Sequence, residues 1–145
     1  DINLRAPFFS KESIGELAFG VDFVKMNDEE LELIAAWYFP GAEGIESQMK
    51  ALSAHFGWET CLVTCGANGA YVLEEGEIHF VSSVPVKVAD TIGSGDAFLA
   101  GFLAGKLKNY SVEKCLRKAT ILAAFITSRN GAIHEHSENV ELDLD

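Results

Sequence analysis

Apolar residues change their period several times along the chain, and each change marks an element. Over residues 28–39, DEELELIAAWYF, the apolar Leu31, Ile34, Ala35 and Tyr38 recur at helical spacing, which predicts a helix with one buried face. Pro40 and Gly41 stop it. Residues 43–56 repeat the period through Ile45, Met49, Leu52 and Phe56, and Gly57 closes that helix. Residues 9–20 predict a shorter one, with Ser10 as N-cap and Gly20 just past its end. Two short, mainly apolar runs, residues 21–26 (VDFVKM) and 59–66 (ETCLVTCG), predict buried strands. Strand, helix, helix, strand is the order that joins parallel neighbours, so this part predicts an α/β sheet.

The pattern then alternates. Residues 69–83, GAYVLEEGEIHFVSS, carry two period-two runs around Glu75-Gly76 and predict a β-hairpin. VPVKVADT, residues 84–91, reads as a last extended piece. Two long helices follow, over residues 96–108 and 111–129, with Gly131 after the second. The acidic tail from His134 onward reads as frayed or lightly docked. No repeat, low-complexity linker or internal domain boundary stands out.

A chain of 145 residues is long enough for a domain with a real core. Twenty-two acidic against 11 basic side chains leave a formal charge of −11, without a basic stripe to displace counterions from nucleic acid. A phosphorylated small molecule stays open, because it needs only a few placed donors. No apolar run approaches the ~20 residues of a membrane span. Cys61, Cys65 and Cys115 sit in apolar segments and lack CxxC spacing, which reads as reduced thiols in a cytoplasmic protein.

Gly93-Ser94-Gly95-Asp96 leads straight into an apolar helix. One reading is a helix start with a dipole-favoured acid. Another is an anion site, because glycines admit close approach and the first N–H groups of a helix lack intrahelical partners. Such a nest suits a phosphoryl group during transfer, and a neighbouring carboxylate can accept the proton of an attacking hydroxyl. Two better-known phosphate motifs fail here. GxGxxG would need a glycine where Phe98 stands, and residues 101–107, GFLAGKL, do not make GxxxxGK[ST].

The stretch DTIGSGDAF, residues 90–98, resembles the signature D-T-x-G-[AS]-G-D-x-F of the ribokinase-like (PfkB) carbohydrate kinases, and matches it throughout. The resemblance implies a Rossmann-like ribokinase-type sheet flanked by helices. It makes Asp96 the catalytic base and the N–H groups of Gly93, Ser94 and Gly95 the anion hole. Ala97, Ala100, Gly101, Ala104 and Gly105 read as structural, letting the helix pack close to its sheet.

Other segments follow the same family. Asn27 and Glu30 read by themselves as a capping-box variant; by resemblance to the family's N-x-x-E they also organise Mg²⁺ and phosphate, largely through water. Thr64, Gly66 and Gly69 resemble its T-x-G-x-x-G segment along the nucleotide phosphates. DINLR resembles D-x-N-x-R and makes Asn3 and Arg5 candidates for the substrate side. Asp90, Ile92, Ile126, Gly131 and Glu135 match a monovalent-cation site, with K⁺ as the ion, although a glutamate at 135 departs from the family pattern. His134 and His136 flank Glu135 but are too few for a structural zinc site.

The resemblance covers the C-terminal part of the family's pattern. The chain opens on DINLR without an initiator Met, and neither the G-G-x-x-x-N sugar-binding signature nor the β-sheet lid is among these residues. Residues 1–145 are therefore expected to be the nucleotide-binding and catalytic portion of an ATP-dependent sugar kinase, inactive by itself, with a homodimer expected of the full-length protein. Fructose is the first acceptor on overall likeness, with 2-keto-3-deoxygluconate, ribose or a nucleoside as alternatives. Outside enzymes, the alternative is a catalytically silent nucleotide-binding or assembly domain.

Overall fold

The computed structural model describes residues 1–129 and Gly131. They fall into two compact units, one of residues 1–66 and 71–79, the other of residues 67–70 and the described chain from 80 onward. The chain passes between the units after Gly66, after Ala70 and after His79, around and within the hairpin and not at a linker.

In the first unit, α1 (Lys11–Ala18) is capped by Ser10, whose hydroxyl accepts the Ser13 N–H at 3.2 Å. Strand β1 (Phe23–Asn27) leads through α2 (Asp28–Tyr38) and α3 (Ile45–Phe56) to β2 (Thr60–Thr64). The two strands pair in parallel, as their order along the chain predicts, and Asn27 lies opposite Thr64 at their C-terminal ends. In open α/β sheets that edge is where ligands bind. Strands β3 (Ala70–Glu74) and β4 (Glu77–Val81) complete the order β1-β2-β3-β4. Their turn, Glu75-Gly76, has both residues at positive φ (51° and 82°), the twist that a two-residue hairpin favours.

The core of this unit is the periodic set read from the sequence: Leu31, Ile34, Met49, Leu52 and Phe56 from the helices, against Met26, Cys61 and Val63 from the strands. Burying each large side chain contributes about 1.5–3 kcal/mol, which fixes the helices over the sheet.

The second unit holds α4 (Ser94–Leu107) and α5 (Val112–Thr127), packed together around Phe98, Phe102, Leu116 and Ala119. Two small residues of α4 lie against α5. A Cβ on Gly101 would stand 2.9 Å from the Ala119 Cα, and one on Gly105 2.8 Å from the Cys115 Sγ. These glycines admit α5, while Ala100 and Ala104 are exposed.

The extended piece expected over residues 84–91 forms no strand. Pro85 has no N–H to give a ladder, and the N–H groups of Ala89 and Asp90 both go to the Thr127 carbonyl, at 2.9 and 3.3 Å. No helix among the described residues is long and apolar enough to cross a membrane.

Candidate active site

In the first unit the sequence motif N-x-x-E closes on itself. The Asn27 Oδ1 accepts the Glu30 N–H at 2.7 Å, and the Glu30 Oε2 accepts the Asn27 N–H at 2.8 Å. This is the reciprocal capping box that the spacing predicts. The other oxygen, Oε1, accepts the N–H of Leu4 at 2.8 Å, a contact across 26 residues that no local pattern announces. Glu30 is buried at 9% exposure. With one N–H on each oxygen and further lone pairs left over, its carboxylate suits a cation reached through water, the ligation Mg²⁺ favours.

Thr64 lies beside this corner, its hydroxyl donating to the Met26 carbonyl at 3.5 Å. Past β2, Gly66 takes a positive φ of 52° in an exposed turn and opens the 3₁₀ turn Gly66–Asn68. Gly69 belongs to the second unit and is fixed by packing: at φ 120° a side chain there would run into the Val81 carbonyl oxygen. At the start of the chain Ile2 and Leu4 pack against the core, which leaves Asn3 and Arg5 exposed.

In the second unit Gly93 is the N-cap of α4, at φ 80° and ψ −4°, and the helix has no side-chain cap. Ser94 is the member of the turn whose donor is taken. Its N–H goes to the Thr91 carbonyl at 3.2 Å, and its hydroxyl accepts from the Thr127 Oγ1 at 3.0 Å. The first bond inside the helix start is Ala97 N–H to the Gly93 carbonyl, at 2.9 Å. Among the described residues, the N–H groups of Gly93, Gly95 and Asp96 therefore have no acceptor: of the expected Gly93–Ser94–Gly95 set Ser94 is taken, and the Asp96 N–H is open as well. Asp96 is exposed and its carboxylate makes no hydrogen bond among the described residues. An open helix start with glycine on either side of a serine is chemically an anion acceptor beside a free base.

Asp90 stitches the chain ahead of α4 to Gly131, beyond the end of α5. Its Oδ1 accepts the Ile92 N–H and its Oδ2 the Gly131 N–H, each at 3.0 Å. These donors, Ile92 first and Gly131 second, hold its carboxyl below the ordinary carboxylate range. The structure thus joins Asp90, Ile92 and Gly131 from the expected cation set. The Ile126 carbonyl accepts the Arg129 N–H at 3.0 Å. Glu135, His134 and His136 lie outside the described residues. Among the described ones, no three His, Cys, Asp or Glu side chains gather as a metal site. The three cysteines form no disulfide and are buried; burial pushes the Cys61 thiol up to about 12 and that of Cys65 to about 11.

A family model for the pfkB family carbohydrate kinases matches residues 1–139. The chain is similar to adenosine kinase 2 of Arabidopsis thaliana, 28% identical over 144 residues that cover 92% of this chain and 42% of that protein. It is also similar to an ATP-dependent 6-phosphofructokinase of Thermoanaerobacterium thermosaccharolyticum, 31% identical over 123 residues, covering 85% of this chain and 36% of that one. Among solved structures it resembles a fructokinase from Vibrio cholerae O395 in its fructose-, ADP- and calcium-bound form. The TM-score there is 0.70 at 28% identity, over 84% of this chain and 40% of that one. The chain spans about two fifths of the length of these relatives.

Proposed function

The chain belongs to the pfkB family of carbohydrate kinases, and from that premise we propose that the whole protein transfers the γ-phosphoryl group of ATP to a sugar hydroxyl, with fructose as the first acceptor. The observation that carries this reading is the open start of α4, where the N–H groups of Gly93, Gly95 and Asp96 have no acceptor among the described residues and the Asp96 side chain is exposed. In an in-line displacement the acceptor oxygen bonds to the γ-phosphorus as the bond to the bridging oxygen of ADP breaks. Asp96 takes the hydroxyl proton, and the N–H groups of the turn receive the phosphoryl oxygens. Ser94 holds the turn in shape through Thr91 and Thr127.

The remaining assignments follow the motifs. Asn27, Glu30, Thr64, Gly66 and Gly69 serve the nucleotide phosphates, Glu30 holding Mg²⁺ through water. When bound, that ion offsets the negative charge of the phosphates. Asn3 and Arg5 serve the acceptor side. Asp90, Ile92, Ile126 and Gly131 belong to a monovalent-cation site that orders the loop before α4. A nucleoside acceptor is the second reading, favoured by the 28% identity to an adenosine kinase across 92% of the chain.

The test is acceptor-dependent ADP release by the whole protein with ATP and Mg²⁺, across fructose, 2-keto-3-deoxygluconate, ribose and adenosine, beside an Asp96→Asn variant. One acceptor is expected to drive turnover, and the variant to lose a factor of about 10²–10⁴. If both proteins are silent on every acceptor while ATP still binds, the domain holds nucleotide without transferring phosphate.

A further inference from the structure

Lys25 is a charged residue inside an apolar strand and is buried at 7% exposure. Its side chain reaches the first residue of the chain. The Lys25 Nζ lies 3.1 Å from the Asp1 Oδ2 and 3.3 Å from its Oδ1. The same residue also uses its backbone, since the Lys25 carbonyl accepts the Ile2 N–H at 2.9 Å. Two residues on, the Leu4 N–H is held by the buried Glu30 carboxylate. The Arg5 carbonyl then accepts the Phe8 N–H at 2.9 Å and closes the segment.

Five residues are thus fixed at four places, and two of the anchors are buried ionisable groups. Between the anchors Asn3 is held at φ 50°, in the left-handed region that asparagine tolerates better than most residues. A part-buried ion pair such as Lys25–Asp1 adds little stability, because desolvating the buried partner offsets much of the attraction. It is a good device for fixing one geometry. Backbone held in a sparsely populated region by surrounding contacts points the same way. The two side chains that this arrangement leaves exposed are Asn3 and Arg5.

We propose that Lys25 is a positioning residue: through its ion pair with Asp1 and its carbonyl bond to Ile2 it sets the place of Asn3 and Arg5 on the acceptor side of the transfer. The proposal rests on the acceptor role given to those two residues above. Glu30 is the second anchor, so one carboxylate caps α2 and holds the acceptor segment at Leu4.

The test uses the whole protein with ATP and Mg²⁺ and the variants Lys25→Met, Lys25→Arg, Arg5→Ala and the double Lys25→Met/Arg5→Ala. Lys25→Met keeps an unbranched stem of similar length and removes the charge. It is expected to lower kcat/KM for the acceptor by about 10- to 100-fold, while the KM for ATP stays within about twofold, because a displaced positioning group penalises the transfer step selectively. Lys25→Arg is expected to restore most of the loss. The double variant is expected to be no worse than Arg5→Ala alone, since both act through one group. Amide hydrogen exchange gives a readout independent of turnover: the Ile2 and Leu4 amides should exchange faster in Lys25→Met than in the wild type. Unchanged exchange at Ile2 and Leu4, equal losses toward ATP and acceptor, or additive losses in the double variant would each overturn the positioning role. A wild-type protein with no acceptor-dependent turnover overturns the kinase reading instead, while the exchange comparison still decides whether Lys25 holds the segment.

Discussion

Helices α2 and α4 both carry an acid at their third residue, yet the two acids are used in opposite ways. Glu30 in α2 folds back, occupies each oxygen with a backbone N–H and is buried. Asp96 in α4 stands exposed and unbonded, and the N–H groups beside it have no acceptor among the described residues. The difference originates at the N-cap. Asn27 brings a side-chain oxygen that satisfies the helix start from within, whereas Gly93 brings none. A helix start left open against the usual rule is a place for something from outside, and a closed one is a joint.

The comparison breaks most sharply at Asp96. Asp96→Asn should remove about two to four orders of magnitude of acceptor-dependent turnover, while thermal unfolding shifts by no more than about 1 kcal/mol, the scale of an exposed acid on a helix dipole. Glu30→Ala should do the reverse in its own unit. It strips two part-buried N–H groups of their acceptor and should cost about 1–3 kcal/mol in urea unfolding; a value near zero would mean that the joint is ornamental. Gly93→Ala comes next, because a side chain at φ 80° is strained, and a loss of about 1–2 kcal/mol is expected by calorimetry.

The smallest effect is in acid. Asp90 has its carboxyl held below the ordinary value of 3.8 by the Ile92 and Gly131 N–H groups. A folded-state value lowered in this way contributes stability that is fully present above the unfolded value and is lost as pH falls through the folded one. Asp90→Asn should therefore flatten the part of the stability–pH curve below 3.8 and leave its shape near neutrality unchanged. A variant that keeps the acid limb intact would assign that limb to other carboxylates.

Local features were legible in the sequence and long-range ones were not. The Asn27–Glu30 box, the Ser10 cap and the Glu75-Gly76 turn are each written within four residues, and all three appear as read. Parallel pairing of β1 and β2 followed from the order of elements. The run Val84-Pro85-Val86-Lys87-Val88 alternates like a strand, but alternation says nothing about whether a partner strand is available, and the N–H groups that follow it turn to Thr127. Gly101 and Gly105 announced a close approach, expected from the sheet; the neighbours a side chain there would meet belong to α5. The Leu4–Glu30 and Asp1–Lys25 contacts join residues more than 20 positions apart. Their one sequence signal was a lysine inside an apolar strand.

The most direct test is amide hydrogen exchange across residues 93–96 and 27–30 in the whole protein, with and without a nonhydrolysable ATP analogue, Mg²⁺ and acceptor. The open-turn reading predicts strong new protection at Gly93, Gly95 and Asp96, and little change at Asn27 and Glu30, whose N–H groups are already bonded. Saturating analogue that leaves the Gly95 and Asp96 amides exchanging as fast as before would contradict it.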